Sequence, residues 1–396
     1  MRGRNQPGPL RHRRGSVTFL SSARRQAVFV RRGWVGAIVV FCGMVASAGV
    51  LPRVDLPKDS PVTLLSSDPS DSTESVRGGA SVVDLRVALI LRNSGQQRIR
   101  GITLVVLAQD VTPGGKASVT VPSLSVAPGE TFPVHVDLRL LRPVQAGDAV
   151  VEIGLDGVLF DDLGFYGPNH LDSRKALMVY ELEARRDRRY LRALLDAGGP
   201  ARLQQEMLAA LARRADTPSG MEVQMVRGRS TNVDPERQVQ FAFVEFPDAP
   251  VDSPGGVARV RGNEAMTPRI PVHNRSDREI RSVEIGWILH DQQGRDYLAG
   301  SVPAAVRLAP GEKREMSQDA VLRFTSRAGQ PMSIAGMTGF VSNVEFADGR
   351  VWIPSRAELD NPRLAKVLPP SPEQDRLLQI YRRKGPRALV EELKKF

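Results

Sequence analysis

The chain is poor in the residues that metal and redox chemistry use. It has one cysteine, Cys42, which excludes a disulfide framework and any thiolate metal cluster. Its five histidines are scattered, so a histidine-rich metal site is not expected. Aromatic residues are only 5% of the 396, which leaves few rings for stacking on bases or sugars. Asp and Glu are missing from residues 1–53, a stretch that holds ten arginines. Those ten carry +10 of the formal net charge of +11, so the rest of the chain is close to neutral. Nucleic-acid binding needs basic charge on the folded part, and it is therefore excluded as a function class. Gly-x-Ser-x-Gly, Gly-x-x-x-x-Gly-Lys-Ser/Thr, Gly-x-Gly-x-x-Gly, His-Glu-x-x-His and Cys-x-x-Cys do not occur. No catalytic, cofactor-binding or metal-ligating residue is assigned, and no cofactor is expected.

Hydrophobic residues are 41% and charged residues 25%, a balance that favours folding over disorder. One long apolar run follows the basic tail of residues 1–32. Gly33–Leu51 is nineteen residues without a charge, which as a helix spans roughly 28 Å, close to the hydrocarbon thickness. Arg31, Arg32 and Trp34 flank its start. Nine of the ten arginines precede it, so the positive-inside bias keeps the N-terminus cytoplasmic and sends residues 54–396 across the membrane. Two fates remain open. The span is a retained anchor, or a signal sequence cleaved after Ala46-Ser47-Ala48 that releases the chain to the periplasm or medium. The long basic lead and nearly full span favour the anchor. Cys42, preceded by Phe41, reads as an apolar residue of the span. Residues 52–77, rich in Ser, Asp and Pro, read as a stalk or an irregular first strand.

The remainder repeats itself. Asn93-Ser94-Gly95 with Arg98 to Val105 matches Asn274-Arg275-Ser276 with Glu279 to Ile285. Val126-Ala127-Pro128-Gly129-Glu130 matches Leu308-Ala309-Pro310-Gly311-Glu312. Val151-Glu152-Ile153 with Asp156-Gly157 is set against Val344-Glu345-Phe346 with Asp348-Gly349, and Gly199-Pro200-x-x-Leu203-x-x-Glu206-Met207 against Gly385-Pro386-x-x-Leu389-x-x-Glu392-Leu393. Four matches in one order imply a tandem duplication. Each copy opens with short alternating or β-branched runs separated by Asn-Ser-Gly, Pro-Gly-Gly or Pro-Gly-Glu turns, the pattern of an antiparallel sandwich. Each then ends in two helices broken by Gly-Pro, because proline opens a helix without losing a hydrogen bond.

The expected fold is therefore mainly β with α: two tandem Ig-like antiparallel β-sandwiches, each followed by a helical hairpin, behind one N-terminal transmembrane helix. The expected divisions are a tail (1–32), the span (33–51), a stalk (52–77), domain 1 (78–170), hairpin 1 (171–215), a linker (216–235), domain 2 (236–356) and hairpin 2 (357–396). The strand, the Asn turn, Ile-x-Gly/Ser-Ile/Val and the late Ala-Pro-Gly-Glu resemble bacterial extracytoplasmic Ig-like modules of the CARDB-like and FxLYD-like type. The resemblance covers about 80 residues of each half. It implies spacers, adhesion units or protein-binding platforms, with no catalytic residues to carry over.

Some candidate residues remain. Phe165 and Tyr166, in Asp161 to His170, either pin the first helix onto the sandwich or form an exposed loop that binds a partner. Arg185, Arg186, Arg188 and Arg189 read as a solvated helix face, or as a docking site for an acidic partner or anionic surface. His135, His273 and His290 read as structural, Asn274 in its Asn-x-Ser sequon as a turn residue, and Asp156, Asp161 and Asp162 as a solvated hairpin rather than a Ca²⁺ site. The expected function is a non-enzymatic, membrane-tethered envelope protein that presents a platform to another envelope protein. A carbohydrate- or envelope-polymer-binding module and an enzyme of unrecognised type are the alternatives. Fractionation with N-terminal sequencing checks the address: the intact chain is expected in the membrane pellet, whereas a soluble product beginning at Gly49 indicates cleavage.

Overall fold

The computed structural model describes residues 51–77, 80–108, 116–143, 150–216, 221–226, 233–317, 321–326 and 329–396. The expected membrane span lies outside these residues except for Leu51, which begins a strand. Among the described residues no helix is long and apolar enough to cross a membrane. The described fold is mainly β, with sandwich-like sheets.

The first half holds β1 (Leu51–Asp55), β2 (Val62–Asp68), β3 (Thr73–Arg77), β4 (Ala80–Asn93), β5 (Ile99–Leu107), β6 (Lys116–Val121), β7 (Thr131–Pro143), β8 (Val150–Phe160) and β9 (Phe165–Tyr166), then α1 (Ser173–Asp216). The second holds β10 (Met221–Val226), β11 (Arg237–Phe243), β12 (Val251–Asp252), β13 (Gly256–Arg261), β14 (Glu264–Asn274), β15 (Ile280–His290), β16 (Asp296–Leu308), β17 (Lys313–Ser317), β18 (Val321–Ser326), β19 (Gly336–Phe346) and β20 (Val351–Trp352). Helices α2 (Arg356–Leu359), α3 (Pro362–Ala365) and α4 (Pro372–Leu393) complete it.

The halves use one pairing scheme. β5 pairs with β6 and β8, and β15 with β16 and β19. β4 takes β2 and β3 along one edge and β7 along the other, while β14 takes β12 and β13 against β17 and β18. β1 runs parallel to β8, as the end of β11 does to β19. Alternate residues face inward, so Leu85, Val87, Leu89 and Leu91 of β4 meet Ile102, Leu104 and Val106 of β5 in the first core. The second core surrounds Trp287, with Phe241 edge-on at 5.2 Å between ring centroids.

The repeated asparagines explain why the turns recur. Asn93 is fully buried, and its side-chain amide donates to the carbonyls of Gln97 and Val126 at 2.9 and 3.0 Å. Its side-chain oxygen accepts the Gly95 N–H. Asn274, equally buried, donates to Arg278, Leu308 and Ala309 and accepts the Ser276 N–H. Each asparagine thus ties the Asn turn to the Pro-Gly-Glu turn, satisfying carbonyls that water cannot reach. A glycan on Asn274 is incompatible with this burial.

Three expectations need correction. Residues 52–77 are not a stalk, because β1, β2 and β3 occupy most of them. They lack a visible apolar pattern because β2 is an edge strand with most of its residues facing water. The segment is itself duplicated: Asp59-Ser60-Pro61-Val62 corresponds to Asp248-Ala249-Pro250-Val251. The Pro61 and Pro250 carbonyls accept the N–H groups of Ser94 and Arg275. The stretch 216–235 is not wholly linker either, since β10 adds an edge strand to β18.

The third sequence match is out of register. Ile99 pairs with Phe160 and Ile280 with Phe346, so Phe160 and Phe346 are equivalent. The partner of Asp348 is then Asp162, not Asp156: Asp162 accepts the Gly164 N–H at 2.8 Å and Asp348 the Arg350 N–H at 3.0 Å. Leu163 takes the left-handed conformation (φ 67°) that Gly349 takes in the other copy, so no Asp-Gly pair marks the first turn.

Both helical segments break where Gly-Pro stands. Gly199 (φ 65°, ψ −168°) and Gly385 (φ 81°, ψ 179°) sit in a region that a side chain forbids. The hairpins then bury their apolar stripes against each other. Leu191, Leu203 and Met207 share one core with Leu377, Leu389 and Leu393, the residues equivalent to them in the repeat.

Replacing Asn93 or Asn274 with Ala is expected to destabilise the protein by about 2–3 kcal/mol each, by orphaning buried carbonyls. Because the sites are far apart, the two losses should add in the double variant. Urea unfolding measures both, and a loss below 0.5 kcal/mol (about the scatter of surface substitutions) would refute the pinning role.

Candidate functional site

The aromatic pair lies flat against the first sandwich. Phe165 and Tyr166 form β9, paired with Leu159 and Val158, and both are half-buried. Tyr166 packs on the first core. Burial, with a hydrogen bond to Asp59, raises its hydroxyl above the usual tyrosine range. The neighbouring aspartates are engaged within the protein. Asp156 is buried and accepts the N–H groups of His170 and Leu171, Asp161 pairs with Arg100 at 2.7 Å, and Asp162 takes Gln97 and Gly164.

The arginine cluster is not a solvated face. Arg188 is 4% exposed and bonds to Glu181 at 2.8 Å and to Glu373 of the second hairpin at 3.3 Å. Arg185 bonds to Glu181 at 2.9 Å and to the Asp161 carbonyl. Arg186 bonds to buried Asp187 and donates to the Pro354 carbonyl at 3.0 Å. Arg189 remains exposed and turns back to the Arg185 carbonyl. The acids that meet this cluster are the chain's own: Glu181 and Asp187 of the same helix and Glu373 of the second half. Sequence reasoning missed Glu181, Glu373, Arg100, Arg376 and Phe396, which complete the junction.

The junction links four parts of the chain. Ser371, the N-cap of α4, donates to Asp187 at 2.5 Å. Arg376 pairs with Glu373 at 2.8 Å and Glu392 at 2.5 Å. Burial alone would raise the Glu392 carboxyl, but Lys395 and Arg376 hold it below the usual range. The Phe396 ring lies under the guanidiniums of Arg188 and Arg100, at 4.2 and 4.8 Å from the ring centroid. At the start of α1, Lys175 donates to Ser282 of the second sandwich at 3.0 Å. One helix therefore touches both sandwiches.

A separate concavity of about 690 Å³ opens at the end of the second sandwich. Phe243, Phe246, Val251, Val272 and Val341 supply its apolar wall. Charged residues at its mouth are Glu245, Asp252, His273, Arg275, Lys313, Arg314 and Glu315. Asp252 is engaged with His273 at 3.3 Å and Arg275 at 3.9 Å. An apolar floor with a charged rim can hold a side chain or short segment of another molecule. The sequence held a signal for it immediately after each Ala-Pro-Gly-Glu turn: Thr131-Phe132 in one copy and Lys313-Arg314 in the other. His290 lies elsewhere, with Asp296 on one ring nitrogen at 2.6 Å and Thr338 on the other at 2.9 Å. His135 sits on the outward face of β7.

No protein-family model matches the chain, and no curated protein does. Among solved structures, a β-glucosidase from Kluyveromyces marxianus in complex with glucose is 10% identical, covering 68% of this chain and 46% of its own, with a TM-score of 0.14. A red sea bream transglutaminase is 9% identical, covering 71% and 31%, with a TM-score of 0.11. The chain spans less than half the length of either. Scores this low carry no conclusion about fold or function.

Replacing Arg188 with Ala takes one cation from each of two buried carboxylates, leaving Glu181 with Arg185 and Glu373 with Arg376, and is expected to cost about 2 kcal/mol in urea unfolding. Adding Glu373→Ala should cost less in that background than alone, by a coupling of about 1 kcal/mol. Strict additivity would show that the two hairpins are not joined through this pair.

Proposed function

We propose that the chain is a non-enzymatic, membrane-tethered extracytoplasmic protein that serves as a docking platform for another envelope protein. In this reading Gly33–Leu51 is the tether, and two Ig-like sandwiches similar to CARDB-like and FxLYD-like modules stand beyond the membrane. The arginine asymmetry across the span supports the orientation. The pairing scheme common to both halves supports reading them as one module used twice.

The observation that carries the reading is the groove on the second sandwich. A spacer alone has no use for an apolar concavity at a position that its sister module fills with Phe132. Joined hairpins suit the same role, because a platform must hold its two modules at a fixed relation while a partner engages one of them. Arg188 and its neighbours are internal braces in this account, and Phe165 and Tyr166 stabilise the first module.

Photo-crosslinking tests the platform reading, with the reactive residue placed at Lys313 of the full-length chain in intact cells. One reproducible envelope-protein adduct is expected from the membrane fraction. Its absence over repeated preparations, with the chain present and folded, contradicts the proposal.

A further inference from the structure

The groove has a defined origin in the repeat. Glu130 accepts the Ala127 N–H at 2.7 Å, and Glu312 accepts the Ala309 N–H at 2.8 Å, so the two Ala-Pro-Gly-Glu turns close alike. The register beyond them is also the same: Leu91 stands opposite Phe132, and Val272 opposite Arg314. Residues directly opposite in a sheet share a face. Val272 is buried in the second core, so position 314 belongs to the inward face. In the first sandwich Phe132 fills this position and is buried with Val62, Leu91 and Leu155. In the second the residue is Arg314, whose guanidinium stays in water and bonds to Glu312 at 2.5 Å. Val251, Val272 and Val341, the counterparts of Val62, Leu91 and Leu155, stand at the base of the concavity, only 1, 3 and 4% exposed. The second sandwich lacks the aromatic plug that closes the first.

We propose that this groove receives an aromatic side chain carried on an extended segment of another protein, an inference that rests on the platform reading above. The first copy shows which group closes this end of the fold: a phenyl ring on a strand. Arg314 is paired with Glu312 at 2.5 Å and half exposed, and a guanidinium whose N–H groups are paired still stacks its face on an aromatic ring, which favours a ring over an aliphatic group. The chain makes the same pairing where Arg188 and Arg100 cover Phe396. Elsewhere on the rim Asp252 lies 3.3 Å from His273 and 3.9 Å from Arg275, and Glu245, Lys313 and Glu315 also line the concavity.

The test uses the full-length protein and a fluorescent peptide copying residues 129–136, which carries the first copy's own plug, against the same peptide with Phe132→Ala. Saturable binding is expected, weakened about tenfold or more in the alanine peptide. Arg314→Phe should fill the groove and abolish binding while leaving the thermal midpoint unchanged or higher. Should that variant not fold, Arg314→Ala provides the check: the preference for the ring survives and affinity falls. Equal binding of the two peptides, or binding indifferent to Arg314→Phe, overturns the proposal. A concentration-dependent dimer lost in Arg314→Phe would assign the groove to a second copy of this chain and also overturn it. Crosslinking separates the two levels: the same envelope-protein adduct from wild type and Arg314→Phe sinks the groove proposal alone, and no adduct from either sinks the platform.

Discussion

Everything in this architecture hangs on the burial of one helical hairpin against the other. A short two-helix unit with a single apolar stripe cannot be stable alone in water, because nothing covers that stripe. Here Leu191, Leu203 and Met207 cover Leu377, Leu389 and Leu393, and the reverse. Each half therefore completes its helical part only with help from the other. The Gly-Pro breaks make this possible, since Gly199 and Gly385 leave the helical region at positive φ and end one helix where Pro200 and Pro386 begin the next.

The charges at the junction add orientation to that apolar contact. Burying Arg188 with Glu181 and Glu373 costs desolvation, and such networks contribute little net stability compared with well-packed apolar groups. They do forbid most other dockings, because any shift leaves a buried charge alone. Ser371 on Asp187 and Arg186 on the Pro354 carbonyl tie the first helix to the segment entering the second hairpin. Lys175 reaches the second sandwich from the same helix.

What could be read from the sequence depended on how local its cause was. The Asn turns, the Pro-Gly-Glu turns and the Gly-Pro breaks are set by residues within a few positions, and the structure puts turns and breaks there. The first three strands were hidden, because the outward residues of an edge strand leave no apolar pattern. The Asp-Gly match slid out of register because Leu163 holds a conformation that glycine holds in the other copy. Burial of Arg188 could not be inferred, since its partner Glu373 is 185 residues away and only tertiary packing brings it near. The groove lay between these extremes. Phe132 against Arg314 is visible once the copies are aligned, but its meaning needs the strand register that shows both to be inward positions.

The shared helical core is tested most directly by hydrogen exchange on the full-length protein carrying Leu203→Ala. That change removes a fully buried side chain from the first hairpin only. Amides of residues 372–393 should then exchange faster along with those of residues 173–216, because the two hairpins open as one unit. Faster exchange confined to residues 173–216, with 372–393 unchanged, would contradict the account.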